Sequence, residues 1–452
     1  MGNIKKYSTF RQENPRMVYD SYHYELTERG LELDFTFRIG DKIVFHPTAL
    51  IERREFLDYN GKTELLDKLV FNIGMIELIS YWKCLCPPIV EIACGSLTDE
   101  AKAFWLKTYW NGLGEFFYTN GIEETPETFM KIENLTATIH NPQILNSQLP
   151  TLNSYIVPIG GGKDSVVSLE LLSAFGRPLP LIMNPRGATI GCVEAAGYTM
   201  SEVAVIRRTI DPKLLELNAQ GCLNGHTPFS AMLAFYTLVI SMGSGRINIA
   251  LSNESSANES TVPGTSVNHQ YSKSLEFEND FRRYVASEIS PVFNYFSFLR
   301  PLSELQIAML FARFDKYHDV FRSCNAGSKQ DIWCGNCAKC LFAYIILSPF
   351  IAPDRLNAIF GKAMLDDPGL QTYFDELTGI ADVKPFECVG TISEVQSALS
   401  MALTRWYPNE RPYLLCNYKA MPPATPLDTL YSEHNLSPEQ LNLLQQCIDK
   451  NN

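Results

Sequence analysis

Polar and apolar residues alternate over residues 17–26 and again over 31–39, with Glu28-Arg29-Gly30 between them. A period of two belongs to half-buried strands, so residues 1 to about 60 read as a small antiparallel sheet. Two helical patterns follow, over roughly 64–84 and 98–119. Ser96-Leu97-Thr98-Asp99-Glu100 stands ahead of the second as a cap. A polar stretch containing Pro and Asn, residues 140–153, reads as a linker. From Ser154 strand and helix patterns take turns, with strands expected from Ser154 onward and at 179–184, 202–207 and 247–252. That order predicts an α/β domain around a doubly wound parallel sheet. Beyond Ala352 the pattern is mainly helical, and neither repeats nor long low-complexity tracts interrupt it. Three consecutive regions are therefore expected: an N-terminal α+β domain over 1–150, the α/β domain over 151–350, and a mainly helical C-terminal region over 351–452.

Composition narrows the class. The chain has 452 residues, 46% of them hydrophobic and 19% charged, enough for a large core and two or three domains. No basic-then-apolar leader opens it, and the best apolar run, 341–352, is short and broken by Ser348 and Pro349. Cytoplasmic residence and no membrane association are expected. Twelve cysteines in such a chain read as thiols or metal ligands and not as a disulfide framework. The formal charge of −12 disfavours nucleic-acid partners, which call for a basic face, although a local patch is compatible with it. Oligomeric state is left open.

The chemistry concentrates at Ser154-Tyr-Ile-Val-Pro-Ile-Gly160-Gly161-Gly162-Lys163-Asp164-Ser165, where an apolar strand runs into a glycine turn that opens a helix. Helix N-terminal amides lack carbonyl partners, and glycines let an anion approach them closely. A Walker loop would need glycine at Val157 and Ser or Thr at Asp164; a dinucleotide fingerprint would need glycine at Ser165. What remains, G-G-G-K-D-S, resembles the S-G-G-x-D-S signature of the ATP pyrophosphatase (PP-loop) superfamily, with Gly160 in place of the first serine. The resemblance implies an adenine nucleotide alpha hydrolase-like domain that cleaves ATP between its α and β phosphates. Gly160, Gly161, Gly162 and Ser165 can cradle pyrophosphate, Lys163 can neutralise it, and Asp164 can help place Mg²⁺. The bland alternative is a flexible surface turn, which the flanking strand and helix patterns oppose.

Cys324, Cys334, Cys337 and Cys340 form the second motif. Paired C-x-x-C sulfurs close a tetrahedral site that favours a structural Zn²⁺, with an iron–sulfur cluster as the lesser alternative and free thiols as the plain one. Cys84, Cys86 and Cys94 read as core residues.

Both motifs occur in 7-cyano-7-deazaguanine synthases, but this chain is about twice as long and carries some 150 residues ahead of the loop. The segments Leu251-Ser-Asn253-Glu254, Val267-Asn268-His269-Gln270-Tyr271-Ser-Lys273, Leu299-Arg300-Pro301-Leu-Ser-Glu304 and Lys384-Pro-Phe-Glu387-Cys388-Val-Gly-Thr391 resemble instead the UDP-N-acetylmuramoyl-L-alanyl-L-glutamate epimerases of peptidoglycan synthesis, the MurL type. The resemblance implies an ATP- and Mg²⁺-dependent inversion of the terminal L-Glu of a nucleotide-linked muramoyl dipeptide. Asn253 and Glu254 end an apolar strand where such sheets form ligand crevices, so Glu254 is a candidate Mg²⁺ ligand or else a solvated acid. Arg300 suits a phosphate or carboxylate, or a structural ion pair. Candidates for proton transfer are His269, Lys273 and Cys388, with Tyr271 and His226 as further possibilities, and Asp164 joins the catalytic set through its Mg²⁺ role. Asn224-Gly225-His226-Thr-Pro228 reads as a turn that keeps His226 accessible. Other readings are an amidating synthetase, a tRNA sulfur-transfer enzyme and a non-catalytic nucleotide-binding module.

Overall fold

A computed structural model describes residues 3–135, 152–261 and 267–450. Most of the expected linker, residues 140–151, lies outside the described residues. The strands are β1 (Arg16–Leu26), β2 (Gly30–Ile39), β3 (Ile43–Phe45), β4 (Thr48–Glu52), β5 (Ile89–Ile92), β6 (Lys131–Asn134), β7 (Leu152–Pro158), β8 (Leu179–Met183), β9 (Ala204–Thr209), β10 (Arg246–Leu251) and β11 (Asn294–Ser297). Contacts group the chain into two units that each draw on separated segments. Unit 1 comprises Met1–Ile156, Ala204–Ile249 and Ser266–Tyr295; unit 2 comprises Val157–Val203, Ala250–Thr265 and Phe296–Asn452. The boundaries expected at 150 and 350 follow chain order, whereas these units are built by return passes.

In unit 1 the alternation becomes structure directly. Leu31, Leu33, Phe35, Phe37 and Ile39 of β2 all point into the core, and β1 lies antiparallel to β2 with Met17 opposite Ile39 and Leu26 opposite Leu31. A bulge at Tyr19/Ser21 shifts the register midway. β4 continues the antiparallel set on β2. The antiparallel sheet expected near the N-terminus and the parallel one expected from Ser154 onward are not separate but joined: β9 runs antiparallel to β4, Ile206 opposite Ile51, whereas β10 and β7 are parallel, as expected, through Ile249 and Ile156. β5 is parallel to β1 and to β6.

Two local expectations are corrected. A helix, Asn3–Glu13, precedes the β-rich segment. It buries only Tyr7, so it carried no apolar stripe to announce it, and Arg11 ties it down by donating to the carbonyls of Cys86, Thr128 and Phe129. The single helix expected over 98–119 is two, Asp99–Gly112 and Gly114–Asn120. Thr98 does cap the first, accepting from the Ala101 N–H at 3.0 Å, but Leu113 (φ −100°, ψ 8°) breaks the run.

Unit 2 holds the end of β7, β8, and the helices Lys163–Leu172, Gly187–Ala195, Glu304–Phe311, Ala338–Leu347, Pro353–Phe360, Gln371–Thr378, Ile392–Ala402 and Pro438–Asp449. Ala338–Leu347, which takes in the first part of the apolar run noted over 341–352, is almost wholly buried. No strand follows residue 352 among the described residues. No helix among them is long and apolar enough to cross a membrane.

Candidate functional site

The glycine turn follows β7, whose end is held where the Ile159 N–H donates to the Leu181 carbonyl at 2.8 Å. Gly161 adopts φ +83°, a conformation that a side chain would strain. A Cβ there would also lie 3.0 Å from Ala188 Cβ and 3.2 Å from the main chain of Ala188 and Thr189. At Gly160 a Cβ would meet nothing within 4 Å, so the position has room for a side chain. Gly162 starts the helix Lys163–Leu172 without a side-chain cap, leaving the first-turn amides for an anion. Ser165 Oγ donates to the Gly162 carbonyl at 3.0 Å.

Lys163 does not extend into solvent. Its side chain is 7% exposed and its ammonium pairs with Asp164 and Glu304. Burial would lower its pKa, but the two carboxylates outweigh burial and raise it. Glu304 is itself buried; burial raises its pKa, Lys163 opposes the rise, and Asp164, Glu254 and Glu394 add to it. One ammonium thus faces an excess of carboxyl groups, and carboxylate oxygens of Asp164, Glu254 and Glu304 lie within 4.8 Å of one another. Hard oxygen donors in surplus over the local cation suit Mg²⁺. Asp164, a third exposed, is the open side of the group.

Glu304 was not singled out chemically from the sequence, and neither was Glu394. Glu394 closes a reciprocal cap with Thr391, its Oε2 accepting from the Thr391 N–H at 2.7 Å. Its Oε1 accepts from the Glu304 N–H at 2.8 Å. Arg300 is fully buried and donates to the Glu254 carbonyl at 2.6 Å and to Ser297 Oγ at 3.2 Å. Asn253 Nδ2 donates to the same Ser297 Oγ at 3.0 Å. Both residues therefore hold the end of β10 in place, and Glu254 with it. Lys384 pairs with Glu259, and half-buried Cys388 stands three residues before Thr391.

The four sulfurs expected together are together: Cys324–Cys337 3.9 Å, Cys334–Cys340 3.7 Å and Cys337–Cys340 3.5 Å. The Gly327 N–H donates to Cys324 Sγ at 3.1 Å and that of Asn336 to Cys334 Sγ at 3.4 Å. Four converging sulfurs with amide donors fit a tetrahedral Zn²⁺. The same segment braces the loop. The Arg322 N–H donates to the Gly161 carbonyl at 2.7 Å, Ser323 packs beside Gly162, and Asp331 caps the helix Gly187–Ala195 through the N–H groups of Gly187 and Ala188. Cys84 and Cys86 are buried, as expected, whereas Cys94 is only partly so.

Unit 1 carries a separate polar cluster. His269 Nδ1 is hydrogen-bonded to Glu115 Oε2, a residue the sequence did not mark. The His226 side chain, expected to be available to solvent or ligand, is 23% exposed and stacks obliquely on His269. Burial, reinforced by His269, Lys83 and Lys273, lowers the His226 pKa to about 3. Lys83 is buried and lowered to about 8, chiefly by burial. Burial raises Tyr271 to about 12, and Lys273 ends the same short 3₁₀ turn, Tyr271–Lys273.

A strand that ends in a glycine turn, a buried lysine among acids and four converging thiols characterise a mixed α/β protein. The MurL N-terminal domain family matches residues 9–298 and the MurL C-terminal domain family residues 320–426. Three proteins called UDP-N-acetyl-alpha-D-muramoyl-L-alanyl-L-glutamate epimerase are similar to it. That of Xanthomonas oryzae pv. oryzae is 36% identical over 345 residues, 74% of each chain. That of Micromonospora sp. is 34% identical over 350 residues, 74% of this chain and 75% of its own. That of Salinispora tropica is 35% identical over 343 residues, 74% of this chain and 73% of its own. The chain belongs to the MurL epimerase family. No solved structure matches it.

Proposed function

We propose that this protein epimerises the terminal L-Glu of UDP-MurNAc-L-Ala-L-Glu to D-Glu, using ATP to activate the carboxylate. Family membership supports the epimerisation, and the observation that carries the ATP requirement is the buried Lys163 among Asp164, Glu254 and Glu304 at a glycine turn. The α-proton beside a carboxylate is barely acidic, because its removal would place a second negative charge on an enolate. Converting the carboxylate to an acyl-adenylate removes the first charge. A substrate carboxylate oxygen bonds to the α-phosphorus as pyrophosphate leaves, and the turn amides, Lys163 and Ser165 receive the pyrophosphate. Mg²⁺ held by Asp164, Glu254 and Glu304 would neutralise phosphate charge. A base then takes the α-proton, a second group returns one to the opposite face, and water replaces AMP at the acyl carbon. ATP and water go in; AMP and pyrophosphate come out. His269, Lys273 and Cys388 are the candidates for proton transfer. Arg300 and Asn253 position Glu254, and Zn²⁺ on the four cysteines serves structure alone, since a closed thiolate site has no open position.

The test is incubation with the muramoyl dipeptide, ATP and Mg²⁺ in D₂O, followed by hydrolysis and chiral analysis of glutamate. D-Glu deuterated at Cα, formed only with ATP, is expected, and Asp164→Ala should lower dipeptide-dependent AMP release by about 100-fold or more. Unchanged AMP release in that variant would overturn the loop assignment. Return of L-Glu without deuterium from folded protein would overturn the epimerase reading and direct attention to ammonia-dependent turnover of other acids.

A further inference from the structure

His269 and His226 lie side by side in unit 1 with ring centroids 4.3 Å apart and planes at 49°. Both turn Nδ1 towards one carboxylate. His269 Nδ1 is hydrogen-bonded to Glu115 Oε2, whereas His226 Nδ1 stands 3.8 Å from that oxygen, beyond hydrogen-bond range. Glu115 lies in the first turn of the helix Gly114–Asn120, and its side chain is 17% exposed, that of His269 11%. Lys83 fixes the His226 turn from the other side, donating to the carbonyls of Gly225 and His226 and to Thr227 Oγ1 at 2.6 Å. Among the described residues, the charged groups acting on the pair include Glu115, Lys83 and Lys273. A carboxylate committed to one imidazole, while its neighbour is kept out of range, is an arrangement that orients a ring.

We propose that Glu115 is the positioning residue of His269, accepting a hydrogen bond from its Nδ1–H so that Nε2 is the nitrogen that takes the α-proton of the glutamyl residue. This rests on the epimerase reading. The Cα–H bond breaks, its electron pair stays on the substrate as the enolate, and the proton becomes the Nε2–H of an imidazolium whose charge Glu115 balances. His226, lying against the same ring, is neutral at pH 7 and does not oppose that charge.

Long-range ¹H–¹⁵N spectra of the full-length protein labelled at histidine report the tautomer directly, with His269→Gln providing the assignment. Neutral His269 is expected as the Nδ1–H form in wild type. Glu115→Gln should shift its protonation to lower pH, cut kcat for Cα deuterium exchange by about 100-fold or more with KM little changed, and leave the melting curve close to wild type. Glu115→Asp should recover part of the rate. An Nε2–H tautomer in wild type, or a divalent ion on Nδ1, overturns the positioning role whatever the activity. Unchanged kcat in Glu115→Gln, with wild type active, overturns its catalytic use. A wild type that exchanges no Cα proton, yet shows the Nδ1–H tautomer, overturns the epimerase reading and the catalytic half of the proposal while the orienting contact stands.

Discussion

A single imidazole shows how much the surroundings can add to a residue's identity. His226 is ordinary in sequence, but burial with His269, Lys83 and Lys273 around it brings its pKa from 6.5 to about 3. The unfolded chain therefore binds a proton that the folded chain refuses as pH falls from about 6.5 towards 3. Stability from this residue is complete above that window and is lost within it, by up to about 1.4 kcal/mol per pH unit. Urea unfolding at several pH values should show a shallower acid limb in His226→Gln than in wild type; parallel limbs would mean that His226 titrates normally. Glu115 and Glu304 make the same point from the other direction. Each meets its partner across 154 and 141 residues of sequence respectively, so neither pairing leaves a local signal, although Glu304 stood within a segment that carried the family resemblance.

At the scale of elements, the strand–turn–helix around Gly160 is a local design and was legible as one: an apolar run, three glycines and a helical pattern occupy consecutive positions. The structure adds that the glycines are unequal. Gly161→Ala would place a side chain at φ +83° and against the Ala188 main chain, a cost of roughly 1–3 kcal/mol, with ATP-dependent turnover falling as the loop shifts. Gly160→Ser meets open space and should leave both melting temperature and AMP release near wild type. Equal damage from the two substitutions would refute this account. Elements without a periodic signal were not legible. The helix Asn3–Glu13 lacks an apolar stripe, and the break at Leu113 arises inside a pattern that continues across it.

For the molecule as a whole, the thiol centre and the glycine turn lie far apart in sequence yet share a brace, the Arg322 N–H on the Gly161 carbonyl. One zinc per chain is expected by elemental analysis. Removing it by chelation, or weakening it with Cys337→Ser, should lower the melting temperature and speed amide exchange at Arg322; full protection there in metal-free protein would separate the two sites. What the sequence by itself determined is whatever depends on neighbours along the chain: the antiparallel β1–β2 pair, the glycine turn, the cap at Thr98, the cysteine spacing and the family resemblance. Tertiary structure alone decided which acids surround Lys163, which carboxylate orients His269, that Arg300 serves the end of β10, and that β9 runs antiparallel to β4. The reason is physical. Periodicity and turn chemistry are set by bonds and sterics within a few residues, whereas an ion pair or a strand partner is chosen by folding, which brings distant segments together to bury apolar surface and leaves their polar groups to find one another there.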